Sequence, residues 1–400
     1  MPKPLVVAPL AVPVAPRWML PVICSAAFLV FAQAFMVAPL FPALVETLHS
    51  PLGLVGLAVP AYLLSQGVAT LVSGPLSDRL GRREVILAAL LAFTIFTLAT
   101  ASATSIRAFL AWRVAAGISA AGVVPISLTL IGDVVPFQRR GRALGWLFGS
   151  IAGGTATGAS VGALLEPVLG WASLFALAGG IGALVLIVAV GTGAFPRLAR
   201  PVAPTWSVIL RGYAALLSMA RAQRTYAYVL INAVVQSGVY TWLGIYLHQR
   251  FGLGEIGIGL ALLGYGVPGV LFGPLIGRLA DHHGRARIIP AGVALTGVCA
   301  LLLAASLPLL AVQLAIIALS LGFDLTQPLL AGIVTDLRGS RGQAVALMAF
   351  TLFIGFGLGS LLFQWALALG FAMALTIFGV TAVLAAGLAL ALFRGEQPHP

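Results

Sequence analysis

Acidic side chains are scarce in this sequence. Ten Asp and Glu stand among 400 residues, and charged residues of both signs make up 8%. A soluble chain of this length needs far more charge to cover its surface, so a water-soluble globular protein is excluded. Cysteine is limited to Cys24 and Cys299, both inside apolar segments, which leaves no disulfide framework. The five histidines include no pair at metal-ligand spacing within an apolar run. His282 and His283 are adjacent but lack a third ligand. No Gly-Lys-Ser/Thr phosphate loop occurs, which speaks against ATP as an internal energy source. Acid–base and nucleophile groupings are missing too, so the chain does not read as an enzyme.

What the sequence has instead is apolar length. Hydrophobic residues make up 60% of the chain. They fall into runs of about 20 residues, each long enough to cross a hydrocarbon core of roughly 30 Å. A membrane β-barrel would show shorter alternating segments. The expected fold is an all-α polytopic membrane protein with twelve transmembrane helices in two six-helix, pseudo-symmetric bundles. The expected parts are a tail at 1–17, a first bundle at 18–194, a linker at 195–224, a second bundle at 225–393 and a tail at 394–400. The first 16 residues carry five prolines and one Lys, and read as a disordered tail and not a cleaved signal peptide.

The net charge of +12 follows topology and does not imply nucleic acid. With both termini on one side, that side holds every Lys and Arg except Arg107, Arg113 and Arg250. Such an excess marks the cytoplasmic face. The expectation is a multi-pass protein of the cell (inner) membrane with both termini cytoplasmic. In the linker, Trp206, Ile209, Leu210, Tyr213, Leu216 and Leu217 share one helical face. That spacing predicts an amphipathic helix on the cytoplasmic leaflet.

The two halves repeat each other. Gly74, Asp78, Gly81 and Arg82 recur as Gly277, Asp281, Gly284 and Arg285, all displaced by 203 residues. At the same displacement Gln33 recurs as Gln236, Tyr62 as Tyr265, Pro125 as Pro328 and Asp133 as Asp336. After a two-residue contraction, Gly154 and Gly158 recur as Gly355 and Gly359. Parallel repeats of this kind typify secondary transporters, whose sites lie near the midplane between the repeats.

These residues resemble the major facilitator superfamily over nearly the whole chain. The stretch from Gly74 to Arg83 resembles that superfamily's signature loop between spans 2 and 3, and 277–287 its degenerate copy between spans 8 and 9. Span 4 resembles a second family motif through Arg113, Gly117, Ala121 and Gly122. The series Gly145, Gly149, Gly154, Gly158 and Gly162 resembles the glycine-rich antiporter motif of span 5, with Ala159 and Ala163 where the pattern has Pro and Gly. The resemblance implies two bundles rocking about a central cavity lined by spans 1, 4, 7 and 10. It also implies that the span 5 motif packs at the bundle interface. Asp78, Arg82, Asp133, Arg140 and Arg142, with Asp281, Arg285 and Asp336, would form conformational gates. Gly74, Gly81, Gly277 and Gly284 would permit close backbone approach there. The drug and metabolite:proton antiporter branch is the nearest match in pattern.

Two charges break the internal symmetry. Asp324 lies near the middle of span 10, and its repeat partner is Ala121. An acid at the bilayer centre costs about 3 kcal/mol on insertion scales, and the fold does not demand it. It reads either as a proton-coupling or cation-binding group, or as a structural acid facing another helix. Arg113, whose partner is Ile316, reads as a group that tunes a carboxyl or binds substrate. Its alternative is an arginine that snorkels to the outer interface. Gln33, Tyr62, Gln66, Asn232, Gln236, Tyr240, Tyr265 and Gln327 are the candidate lining of a substrate cavity. For the paired Gln33/Gln236 and Tyr62/Tyr265, structural roles stay equally open.

The expected function is export of small drug-like or amphipathic compounds in exchange for protons. The alternatives are a sugar or metabolite exporter, a proton-independent facilitator, or a receptor that kept the transporter fold. The expected partners are a small-molecule substrate, protons and the lipid bilayer, with one chain sufficient. No cofactor is expected, the proton gradient being the energy source.

Overall fold

The structure, a computed structural model, describes residues 16–198, 205–269, 271, 284–337 and 341–396; the side chains of 137–141 and 341 lie outside that description. Gly277 and Asp281 of the second signature copy are therefore outside the described residues, as is the side chain of Arg140. The described chain is all helix, with no strand among the described residues.

Span 1 is Met19–Thr47, span 2 Leu52–Leu80, span 3 Arg82–Ala101 and span 4 Ile106–Val134. Spans 5 and 6 run within Arg142–Gly191 and part at Gly170, whose φ of 72° and ψ of 155° are not helical. Span 7 is Ala220–Phe251, and span 8 begins as Glu255–Leu262. Spans 9 to 12 are Arg285–Ala304, Leu309–Thr335, Gly342–Leu369 and Phe371–Leu392. Spans 1–6 pack as one bundle and spans 7–12 as the other. The bundles meet mainly through spans 2 and 11 and through spans 5 and 8.

Proline and glycine set the local breaks. Span 1 passes through a short 3-10 turn at Ala38–Leu40, around Pro39. Span 4 is interrupted before Pro125, which occupies the first turn of Val124–Val134, where a missing N–H is harmless. The signature loop is tighter than the sequence suggests. Span 2 stays helical through Pro75 as far as Leu80, and span 3 begins at Arg82. Gly81 alone makes the hinge, at φ 107°, and Gly284 starts span 9 at φ 78°. A side chain at either φ would be strained.

The span 5 glycines correct one expectation. A Cβ on Gly154 would sit 2.3 Å from the Phe28 carbonyl oxygen, and one on Gly158 2.3 Å from that of Ala32. Gly162 meets Met36 in the same way. These three let spans 5 and 1 touch inside one bundle instead of forming the bundle interface. Gly145 and Gly149 have open space around them. Gly355 and Gly359 repeat the device, letting span 11 approach the backbone of span 7. The interface with span 8 is made by other residues of span 5: Gly259 approaches Ser160 and Leu164, and Gly266 approaches Ala156.

The seam between bundles is closed on the face away from the arginines. Gln364 donates to the Gly53 carbonyl at 2.8 Å, and the rings of Phe41 and Trp242 meet at 5.5 Å. Pro39 lies against Gly244. On the basic face, the linker helix Trp206–Leu217 touches both bundles. Tyr213 donates to the Leu71 carbonyl of span 2, and Gln343 of span 11 donates to the Ile209 carbonyl. Arg79 lies over the Trp206 ring. Ile209 and Leu216 of this helix are buried, while Trp206, Leu210 and Leu217 are exposed.

Candidate functional site

The two symmetry-breaking charges sit in unlike surroundings. Arg113 is 0% exposed. Its Nε donates to the Ala58 carbonyl at 3.0 Å, and Nη1 donates to both the Oε1 and the backbone oxygen of Gln33, at 3.0 and 3.2 Å. Nη2 donates to the Ala34 carbonyl at 3.2 Å, and the guanidinium lies 4.5 Å from the centre of the Tyr62 ring. Span 4 thus pins spans 1 and 2 together through one side chain. A buried guanidinium must find acceptors for its fixed fork of donors, and here backbone carbonyls and one amide supply them. The snorkelling alternative is ruled out by this enclosure.

The same contacts revise Gln33 and Tyr62, two of the candidate lining residues. Gln33 gives its carbonyl oxygen to Arg113, and Tyr62 donates its hydroxyl to the Val30 carbonyl. Both are fully buried. Their polar groups serve the first bundle's interior, apart from Gln33 Nε2, which has no partner. Gln66 is likewise buried, with its Nε2 unpartnered.

In the second bundle, Asp324 is half-buried and accepts a hydrogen bond from Ser320 Oγ at 3.3 Å. No cation pairs with it among the described residues. A Cβ on Gly269 of span 8 would lie 2.9 Å from its Oδ2, so the carboxyl rests directly on that helix. Around the same bundle core, Gln236 donates to the Tyr265 hydroxyl, and Asn232 donates to Thr326 Oγ1 at 2.5 Å. The Tyr240 and Tyr265 rings stack with centroids 3.8 Å apart. Asn232 Oδ1, Gln236 Oε1, the Tyr240 hydroxyl and both polar atoms of Gln327 have no partner among the described residues. Buried polar atoms are normally paired, so this set is a reservoir of hydrogen-bonding capacity that water or a ligand would fill.

An aromatic sheet crosses the seam beside these groups. Phe31 and Phe35 of span 1 stack at 6.5 Å. Phe35 meets Tyr240 of span 7 at 5.9 Å and Phe356 of span 11 at 6.0 Å, and Phe356 meets Phe323 of span 10 at 5.8 Å. Phe323 is the chain neighbour of Asp324. The sequence reading missed this cluster, although Phe31 and Phe35 are spaced one helical turn apart. It also missed Ser320, one turn before Asp324 on the same helix.

The gate residues that are described pair within their own bundles. Arg82 Nε lies 2.7 Å from Asp133 Oδ2, and its Nη2 lies 3.7 Å from Asp78 Oδ1. Arg285 Nη1 lies 2.8 Å from Asp336 Oδ2. Of the partners open to Asp78, a helix N-terminus or a basic residue of the next loop such as Arg140 or Arg142, the Arg140 side chain lies outside the described residues; Arg82 lies near Asp78, and Arg142 is exposed beside a separate cavity of about 280 Å³ lined also by Met19, Val135 and Trp146. A further ionic site lies on the basic face, unforeseen because its acid is in the tail. Glu396 lies 2.7 Å from Arg221 Nε and 2.5 Å from Arg224 Nη2. The hydrogen bond from Arg221 leads in holding the Glu396 carboxyl below its usual range, with the charges of both arginines assisting against burial. Among the described residues, no group of three or more His, Cys, Asp and Glu is placed to hold a metal ion.

Two bundles of six helices, polar groups buried inside each and a hinge repeated in each half are the build of a membrane transporter. The sequence matches the Major Facilitator Superfamily over residues 23–262 and 251–400, and the chain belongs to that family. A chloramphenicol resistance protein of Streptomyces lividans is 27% identical over 82% of this chain and 83% of its own. The 4-hydroxybenzoate transporter PcaK of Pseudomonas aeruginosa is 29% identical over 50% of this chain and 47% of its own. Among solved structures, a D-xylose-proton symporter superposes with a TM-score of 0.75 at 18% identity, covering 92% of this chain and 96% of that one. That likeness concerns the fold.

Proposed function

We propose that this transporter exports small neutral or singly positive organic compounds in exchange for protons, with Asp324 as the proton-carrying carboxyl. The observation that carries the reading is the contrast in availability between the two buried charges. Asp324 is the one acid in the described interior of the spans, it is partly exposed, and a single hydroxyl donates to it. Arg113 is spent on four oxygen contacts within its own bundle. An anionic cargo therefore meets a carboxyl and no free cation in the described core. This disfavours the aromatic carboxylate named for the hydroxybenzoate transporter and accords with the likeness to a drug-resistance protein. The edge-to-face aromatic cluster supplies apolar contact, and the unpartnered amides supply orientation. With the seam closed on the far side, cargo enters from the basic, cytoplasmic face.

The test is proton-gradient dissipation in energised inside-out vesicles, for wild type and Asp324→Asn. The panel holds cationic, neutral, sugar-like and aromatic carboxylate compounds. Neutral or cationic compounds collapse the gradient in wild type and leave it intact in Asp324→Asn. Equal responses from the two proteins refute the coupling role. Labelled compound crossing without any collapse establishes the facilitator reading, and a response to carboxylates alone reverses the charge argument.

A further inference from the structure

Span 8 is broken beside Asp324. Its helix runs as Glu255–Leu262, turns at 263–266 and resumes at 267. Within the turn the bonds shorten to three-residue steps: Tyr265 N–H donates to Leu262 and Val267 N–H to Gly264. Gly266 has φ of 83°, and its N–H has left the helical ladder. It donates instead to Ser320 Oγ of span 10, at 3.1 Å. Ser320 is 3% exposed. Its oxygen accepts from Gly266, and its own proton is given to Asp324 Oδ2 at 3.3 Å. Backbone N–H, hydroxyl and carboxyl form one chain.

The other side of the break faces the opposite bundle. A Cβ on Gly266 would stand 2.4 Å from Ala156 Cβ and 3.6 Å from the Ala152 carbonyl oxygen, both in span 5. One helical stretch earlier, Gly259 would meet Ser160 and Leu164. The backbone held by Ser320 is therefore part of the contact between bundles. Such a contact must loosen when the bundles rock.

We propose that Ser320 is a positioning residue that transmits the charge state of Asp324 to the seam between spans 5 and 8, by holding the Gly266 N–H while Asp324 is ionised and releasing it when Asp324 is protonated. The proposal rests on Asp324 as the proton-carrying group. A hydroxyl bond to a carboxylate is about twice as strong as one to a neutral acceptor. Protonation removes that anchor, and the serine hydroxyl can turn to the carbonyl one helical turn back, that of Ile316. Its lone pair then no longer meets the Gly266 N–H. Away from water, an orphaned N–H must find another partner, so the turn and its contact with Ala156 rearrange. Among the described residues, the titratable side chain that interacts with Asp324 is Tyr265 of span 8, with Tyr240 of span 7 stacked on it. Neither is a cation that could take over the anchoring.

The experiment is a distance measurement across the seam as a function of pH. Spin labels are placed at Leu169→Cys and Ile256→Cys, exposed positions near the outer ends of spans 5 and 8, with Cys24→Ser and Cys299→Ser in the background. The protein is held in nanodiscs. In the otherwise wild-type protein the distance distribution shifts between high and low pH. Ser320→Ala abolishes that shift, and Ser320→Thr, which keeps the hydroxyl, restores it. A wild-type shift in Ser320→Ala overturns the inference. If Asp324→Asn also keeps the shift, the proton-carrying reading itself has failed. If that variant loses the shift while Ser320→Ala keeps it, the transmission alone is wrong. Ser320→Gly, which likewise lacks the hydroxyl and adds no thiol for the label, stands in if the alanine variant does not fold, and a full shift in it likewise overturns the proposal.

Discussion

The two bundles share a plan and differ in what they do with a buried charge. In the first, Arg113 is sealed and satisfied, and holds three spans together. In the second, Asp324 is half-buried and has one donor. Each stands where the other repeat has an apolar residue. The first bundle has used its charge as a fastener, whereas the second has left its charge free to change. A buried group with full hydrogen bonding resists titration and motion, while an under-bonded one invites both.

The sharpest way to break this comparison is to remove the fastener. Arg113→Met leaves Gln33 Oε1 without its donor and takes one donor from each of three backbone carbonyls. A loss of about 3–5 kcal/mol is expected for one-sided removal of a buried charge network, seen as low membrane abundance and a lower melting temperature in detergent. Arg113→Lys does not rescue it, because an ammonium cannot reproduce the planar fork. Asp324→Asn keeps near-normal abundance and melting temperature while losing coupled transport. Comparable stability losses in the two variants would erase the distinction.

A smaller effect tests the packing on which the first bundle depends. Gly158→Val drives a branched side chain into the Ala32 backbone of span 1, and about 1–3 kcal/mol is expected for such overpacking. Gly149→Ala, in open space by comparison, is expected to be neutral. Thermal melts of the two variants decide this. The smallest effect belongs to the tail of the second bundle. Glu396 has a lowered folded-state pKa, so its contribution is fully present above the ordinary glutamate value and fades as pH falls through the lowered one. Its partner Arg221 is 43% exposed on its side chain, which limits the pair to about 1 kcal/mol or less. Glu396→Gln should therefore melt slightly below wild type at pH 7, and the difference should vanish in acid.

Much of the architecture could be read from the sequence because apolar length and repeat spacing are one-dimensional signals. Gly81 marks a hinge wherever a helix must end and restart within one residue. Asp324 stands out because, among the described residues, the other acids of the spans lie close to span ends or to the Gly170 break. The partners of Arg113 could not be read, since three of its four acceptor atoms, all but Gln33 Oε1, are backbone carbonyls, which every residue has. The span 5 glycines announce a close approach but not its target, and spans 1 and 8 were both available. Ser320 lacked a signal because its meaning comes from Gly266, 54 residues away. Glu396 was passed over as part of a tail, where chain position says little about burial.

On the proposed exchange, a carboxyl that works alone also fixes how membrane voltage enters the cycle. Arg113 keeps its charge and travels with its bundle. Suppose one proton returns through Asp324 for each molecule expelled. With a neutral cargo, every turnover carries one net positive charge inward, and a potential of 100 mV adds about 2.3 kcal/mol to the driving force. With a singly positive cargo the exchange is electrically silent, and the potential adds nothing. On the proposed one-for-one exchange, one lone acid would make the same machine a battery-driven pump for one class of compound and a purely chemical exchanger for another.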